Sequence, residues 1–284
     1  MKRSVCATAA AIALLASSPT AQEATVRASL ATPLTIGETF TIESKVLGET
    51  RRINVYLPPP PYGQPEAKIA HPVLYMPDGG IGEDFLHVAG LVQVSNFNST
   101  MRPFILVGIE NTERRRDLTG PTQLAEDRKI APRVGGSALF RQFIRTELMP
   151  VVKSRYLTTD ETAIVRESLA GLFVVETFFL EPDLFDAYIA FDPSLWWNHR
   201  ELLTKPLPKS VTTGTKHKTL YLSNSNEKDL AEVTRLLAER LQKSPAANLK
   251  VFYHPLTNET HATIYHPAAL DAFRRLFKPP PAAK

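Results

Sequence analysis

Short unbroken apolar runs alternate along this chain with longer segments in which every third or fourth position is apolar. The runs at residues 72–76 and 104–109 predict buried parallel strands, and those at 163–165, 187–191, 219–222 and 249–253 predict further strands. The helical rhythm at 83–94, 137–156, 169–180, 229–242 and 267–277 predicts helices, the second of them bent at Pro150. Ahead of these, residues 39–47 and 51–57 alternate apolar and polar positions around Gly48-Glu49, which predicts an antiparallel hairpin. Strands alternating with helices imply an α/β fold, a mostly parallel central sheet with helices on both faces, extended at one edge by the N-terminal hairpin. The prolines at 58–61 read as a rigid connector, and the polar stretch 110–134 as a loop long enough to be functional or mobile. No repeat or linker divides the chain.

The first residues change the picture of where the protein works. Met1-Lys2-Arg3, an apolar alanine-rich run to Ala16 and the small residues up to Ala21 have the form of a secretory signal peptide. Cleavage after Ala21 is expected, leaving residues 22–284 as one domain with a core of about 34–277. Residues 22–36 and the proline-rich tail are expected to be loose. The expected location is a bacterial periplasm or the secreted fluid. The only cysteine, Cys6, lies inside the signal, so the mature chain has neither a disulfide nor a thiol nucleophile nor a thiolate metal site. Formal net charge is +4, and loss of Lys2 and Arg3 takes two from it. That is too little to point to nucleic acid. No later segment reaches membrane-spanning length, and no membrane partner is expected after signal cleavage. The histidines are scattered, so no metal is expected, and Asp78-Gly79-Gly80 lacks the lysine and glycine spacing of nucleotide loops. No cofactor is expected.

The chemistry concentrates at Ser168. The apolar run before it and the small residues after it, Leu169-Ala170-Gly171, outline a strand-to-helix turn that lifts a serine hydroxyl above a sheet. The usual glycines of that turn are replaced by Arg166 and Ala170. A serine needs an imidazole to take its proton and a carboxylate to orient the imidazole. His261, in the polar loop after the last strand, is favoured as base over His254 and His266; His199 and His217 are further candidates. For the acid, Glu227 is preferred, with Asp229 and Asp192 as alternatives. Oxyanion donors are expected from the N–H of Leu169 and from the turn at Gly79 and Gly80. Trp196 and Trp197 are candidate pocket walls, a core role being equally open. The basic cluster Arg114-Arg115-Arg116 reads as a solvated loop or an anion site.

These residues resemble the branch of the α/β-hydrolases that includes esterase D-like enzymes, feruloyl esterases and enterochelin or ferri-siderophore esterases. The resemblance rests on segments 73–79, 107–109, 116–119, 168–173, 182–188, 193–197 and 259–261. Pro193-Ser194-Leu195-Trp196-Trp197 is most similar to the periplasmic siderophore esterases. The resemblance implies a cofactor-free serine esterase with Ser168 as nucleophile and His261 as base. Its substrate would be a small ester or lactone, siderophore-type or aryl, met by Trp196, Trp197 and Arg116. Two departures stand out. Arg166 replaces a glycine at which strand and helix nearly touch, so its side chain must push the helix, distort the turn or escape, with Glu167 or Glu176 as candidate partners. Glu167 replaces the histidine usual before the serine. The rival expectation is a binding protein that keeps the fold with catalysis impaired by Arg166.

Overall fold

The computed structural model describes residues 29–60, 68–244 and 246–280. The signal peptide expected at residues 1–21, with Cys6, and the final residues of the tail lie outside them. Eight strands form one sheet: β1 Glu38–Ser44, β2 Glu49–Tyr56, β3 His71–Pro77, β4 Ile105–Ile109, β5 Thr158–Glu167, β6 Ala187–Phe191, β7 Lys218–Ser223 and β8 Leu249–Tyr253. Their order across the sheet is β1-β2-β4-β3-β5-β6-β7-β8. β1 pairs β2 and β2 pairs β4 antiparallel, and every later pairing is parallel. The hairpin therefore extends one edge, as its alternating pattern requires. All this belongs to the unit Ile36–Lys284.

The helices are α1 Phe85–Phe97, α2 Arg114–Asp117, α3 Ala125–Ile130, α4 Ser137–Phe143, α5 Met149–Arg155, α6 Ser168–Leu180, α7 Trp197–Arg200, α8 Lys209–Thr212, α9 Lys228–Gln242 and α10 Tyr265–Leu276. Because successive strand residues point to opposite faces, β3 sends Leu74 and Met76 into one core and Val73 and Tyr75 into the other. The first core holds Val88 and Val92 of α1 and Phe273 of α10; the second holds Phe140 of α4, Phe173 of α6 and Leu237 of α9. Burial on both faces is why β3, β4 and β6 read as unbroken apolar runs, whereas the edge strand β8 is only half-buried.

The bend expected at Pro150 takes a definite form. A π-helical turn, Ile144–Leu148, separates α4 from α5, and Pro150 lies in the first turn of α5. Proline has no N–H to donate and its ring crowds the carbonyl four residues back, so the turn before it widens. The polar stretch 110–134 carries α2 and α3 and buries Asp117, Leu118, Thr119, Thr122 and Asp127. It is a packed segment. Among the described residues no helix is long and apolar enough to cross a membrane.

Candidate active site

Three strands end at residues with left-handed backbone, none of them glycine: Asp78 after β3 (φ 52°), Ser168 after β5 (φ 60°) and Asp192 after β6 (φ 38°). Each such conformation costs on the order of 1–3 kcal/mol and persists where its surroundings fix it. They all lie beyond the carboxyl ends of parallel strands, where open α/β sheets carry their sites.

At Ser168 the surroundings come from the segment after β6. Ser194 donates its N–H to the Ser168 carbonyl at 3.0 Å. A Cβ at Gly171 would fall 3.2 Å from the Phe191 carbonyl oxygen and from Pro193, so the helix and this segment meet closely at glycine. The turn holds Ser168 Oγ 3.1 Å from His261 Nε2. On the ring's other side, His261 Nδ1 lies 3.1 Å from Asp192 Oδ2. The Asp192 side chain is fully buried, and its Oδ1 accepts the Ser225 N–H at 2.7 Å. The hydrogen bond to Asp192 raises the His261 pKa, burial opposes that, and the nearby Glu167 carboxylate adds to it.

The acid preferred from sequence is thereby replaced. Glu227 is exposed, precedes α9 as its N-cap residue, and donates its N–H to Ser225 Oγ at 3.1 Å. Asp229 is exposed in the first turn of α9. A hydrated carboxylate stabilises an imidazolium less than a desolvated one, and the carboxylate at the ring is the buried, strand-end Asp192. The other histidines are engaged or remote: His254 pairs with Asp271 at 3.0 Å, His266 with His87 at 3.0 Å, and His199 and His217 are exposed.

The oxyanion expectation is corrected in part. Leu169 is the second residue of α6, where an N–H has no intrahelical acceptor. Gly79 donates its N–H to the Ile109 carbonyl at 2.9 Å, which commits it to the sheet. Its glycine is needed because a Cβ would fall 2.3 Å from Gly108 Cα. Gly80 donates to Glu83 Oε2 at 2.6 Å, so its amide is also engaged.

Trp197 is buried and donates Nε1–H to the Gly120 carbonyl at 3.3 Å, which makes it an anchor for the 110–134 segment instead of a pocket wall. Trp196 is half-buried, its ring 5.9 Å from that of Trp197. The next three residues, Asn198, His199 and Arg200, all have left-handed dihedrals. Asp127 of α3 holds this turn by accepting the Asn198 N–H at 3.0 Å. Arg116 is likewise spent elsewhere, on Asp117 at 2.6 Å and Glu49 at 2.7 Å. Those ion pairs tie the loop to the hairpin edge.

Arg166 neither breaks α6 nor pairs with Glu167 or Glu176; Glu176 is taken by Arg141 at 2.6 Å. Its Nε donates to Asp78 Oδ2 at 3.0 Å, another nitrogen to Asp84, and its guanidinium lies 4.9 Å over the Tyr265 ring. Burial opposes its charge, but Tyr265, Asp78 and Asp84 outweigh that and raise its pKa. Asp78 also accepts from Arg114 at 2.7 and 2.9 Å. Arg114, not Arg116, is thus the arginine of the basic cluster joined to the strand ends.

A mostly parallel sheet with a serine, a histidine and a carboxylate at its strand ends is the architecture of an α/β-hydrolase. The family described as Putative esterase matches residues 44–265, and the chain belongs to it. It is similar to "Ferri-bacillibactin esterase BesA" of Bacillus subtilis, 31% identical over 176 residues, 55% of this chain and 58% of that protein. It is also similar to "Siderophore triacetylfusarinine C esterase" of Aspergillus fumigatus, 37% identical over 89 residues, 30% and 29% of the two chains. The chain thus spans little more than half of the first and under a third of the second. Among solved structures, an IroE-like serine hydrolase from Shewanella oneidensis superposes with a TM-score of 0.76 at 29% identity, over 85% of this chain and 80% of that one.

Proposed function

We propose that this protein is an exported serine esterase that cleaves carboxylic ester or lactone bonds, of siderophore or aryl type, through an acyl-serine intermediate. The observation that carries the reading is the continuous Ser168–His261–Asp192 hydrogen-bonded line, with both links at 3.1 Å. In the reaction, His261 Nε2 accepts the Ser168 proton as Oγ attacks the substrate carbonyl carbon. The Leu169 N–H, at the positive end of α6, donates to the oxyanion. Collapse of the tetrahedral species breaks the ester C–O bond, and the imidazolium gives its proton to the departing alkoxide. Water then attacks the acyl group, with His261 again taking the proton, and Ser168 leaves protonated. Asp192 holds Nδ1–H throughout and stabilises the cation. Siderophore-type esters are favoured by what the similar proteins are named for, and a half-buried Trp196, two residues past the Ser194 that holds Ser168, suits an aryl or bulky acyl group.

The rival reading of a non-catalytic binding protein drew on Arg166, whose charge is met by Asp78 and Asp84. The test is a panel of short aryl, feruloyl and trilactone esters run with the wild type and Ser168→Ala, alongside a fluorophosphonate serine probe. Turnover and labelling are expected in the wild type, with turnover falling about 10⁴-fold or more in Ser168→Ala. A wild type that neither labels nor hydrolyses any of the panel overturns the proposal.

A further inference from the structure

His261 meets two carboxylates. Beyond Asp192, the side chain of Glu167 places Oε1 3.8 Å from the same ring nitrogen, Nδ1. Glu167 is the last residue of β5, directly before Ser168, and its side chain is only 16% exposed. No side chain donates a hydrogen bond of normal length to it among the described residues, although Arg166, its neighbour, is committed to Asp78 and Asp84. The cation that forms beside this half-enclosed carboxylate during the proposed reaction is the His261 imidazolium.

We propose that Glu167 is a positioning residue of the catalytic centre, a second carboxylate on the Nδ1 side of His261 that shares the imidazolium with Asp192. The proposal rests on the serine-hydrolase reading above. The groups facing Glu167 and His261 come from every neighbouring element: Arg166 on the same strand, Asp192 after β6, Asp84 before α1, and Glu227 at the start of α9, which acts on the ring through charge alone. Burial pushes the Glu167 carboxyl up to about 7, with His261 and Arg166 acting against it. The Glu167 charge and the His261 charge therefore favour one another, each carboxylate or imidazolium stabilising its neighbour. Ionised, Glu167 strengthens the base; protonated, it leaves Asp192 alone with the ring.

The sign of the test follows. Glu167→Gln keeps the shape and removes the charge, so the imidazolium loses support and the acidic limb of kcat/KM moves to lower pH. Asp192→Asn should retain at least about tenfold more turnover with Glu167 present than in the Asp192→Asn/Glu167→Gln double variant, a non-additive cycle. NMR titration of the His261 ring in the resting wild type and in Glu167→Gln gives the same comparison without turnover. If the ring titrates identically in both proteins and the acidic limbs superimpose, the proposal is overturned. It is also overturned if Asp192→Asn is already as slow as the double variant. Loss of all wild-type turnover would sink the esterase reading instead, and the ring titration would still report on Glu167.

Discussion

Replacing Arg166 by glycine should destabilise this protein. Removing one partner of a buried ion pair costs about 3–5 kcal/mol, because the other charge is left without compensation. Here the cost sits at the low end. Asp78 keeps two hydrogen bonds from Arg114, and the Asp84 side chain is 38% exposed and can rehydrate. The lost cation–π contact with Tyr265 adds roughly 1–2 kcal/mol. Against this, Arg166 buries one nitrogen without a partner, and its removal returns about 1–3 kcal/mol. The balance is a loss of about 1–4 kcal/mol, or a fall in Tm of roughly 2–16 °C for a domain of this size. Urea unfolding at pH 7 with an unchanged m-value measures it. The gap between the two proteins should also close in acid. Burial raises the Asp78 carboxyl, but Arg166 and Arg114 outweigh it and hold it below its ordinary value. Such a group stabilises the fold above its unfolded pKa, and the contribution is lost as pH falls through the lower folded one. A change under about 1 kcal/mol at pH 7 would refute the view that this network secures the strand ends.

Asp192→Asn should lower kcat by orders of magnitude, up to about 10⁴-fold, while Glu227→Gln should stay within a few-fold of wild type; the reverse ranking in steady-state assays would restore Glu227 as the acid. The acidic limb of kcat/KM should lie above the ordinary histidine value, since Asp192 raises the His261 pKa and activity is lost as pH falls through it; a limb well below that value contradicts the assignment. Trp196→Ala should raise KM for aryl esters about tenfold with little change for acetyl esters, whereas Trp197→Ala should instead cost about 3–5 kcal/mol of stability. Substrate profiles and melting curves of the two variants separate these roles.

How much of this was legible from the chain differs with the range of the interaction. The strands and principal helices follow from local rhythm, most clearly where burial on both faces leaves a continuous apolar signature, as in β3, β4 and β6. The polar, partly exposed first half of β5 carries no such signature, so that strand is longer than its apolar run. That Ser168 and His261 would meet could be anticipated because one follows an apolar strand run directly and the other lies in the polar loop after the last strand. The acid was not, since Asp192, Glu227 and Asp229 all follow strands and only the fold reveals which is desolvated. Arg166 finds Asp78 and Asp84 across 88 and 82 residues of sequence, a distance no pattern spans. The engagement of the Gly79 and Gly80 amides likewise depends on β4 and on Glu83. The short elements α2, α3, α7 and α8 carry too few turns to show a period.

The left-handed turn at Asn198–Arg200 has a consequence for how this protein acquires its preferences. Three such residues cost on the order of 1–2 kcal/mol apiece, and Asp127, Trp197 and Gly120 keep them in place. The contour next to Trp196 is therefore imposed from residues 110–134, well outside the triad. Under the proposed esterase reading, changes in that segment would alter which molecules are admitted while leaving the speed of bond cleavage largely untouched, so selectivity and chemistry could diverge independently in this scaffold.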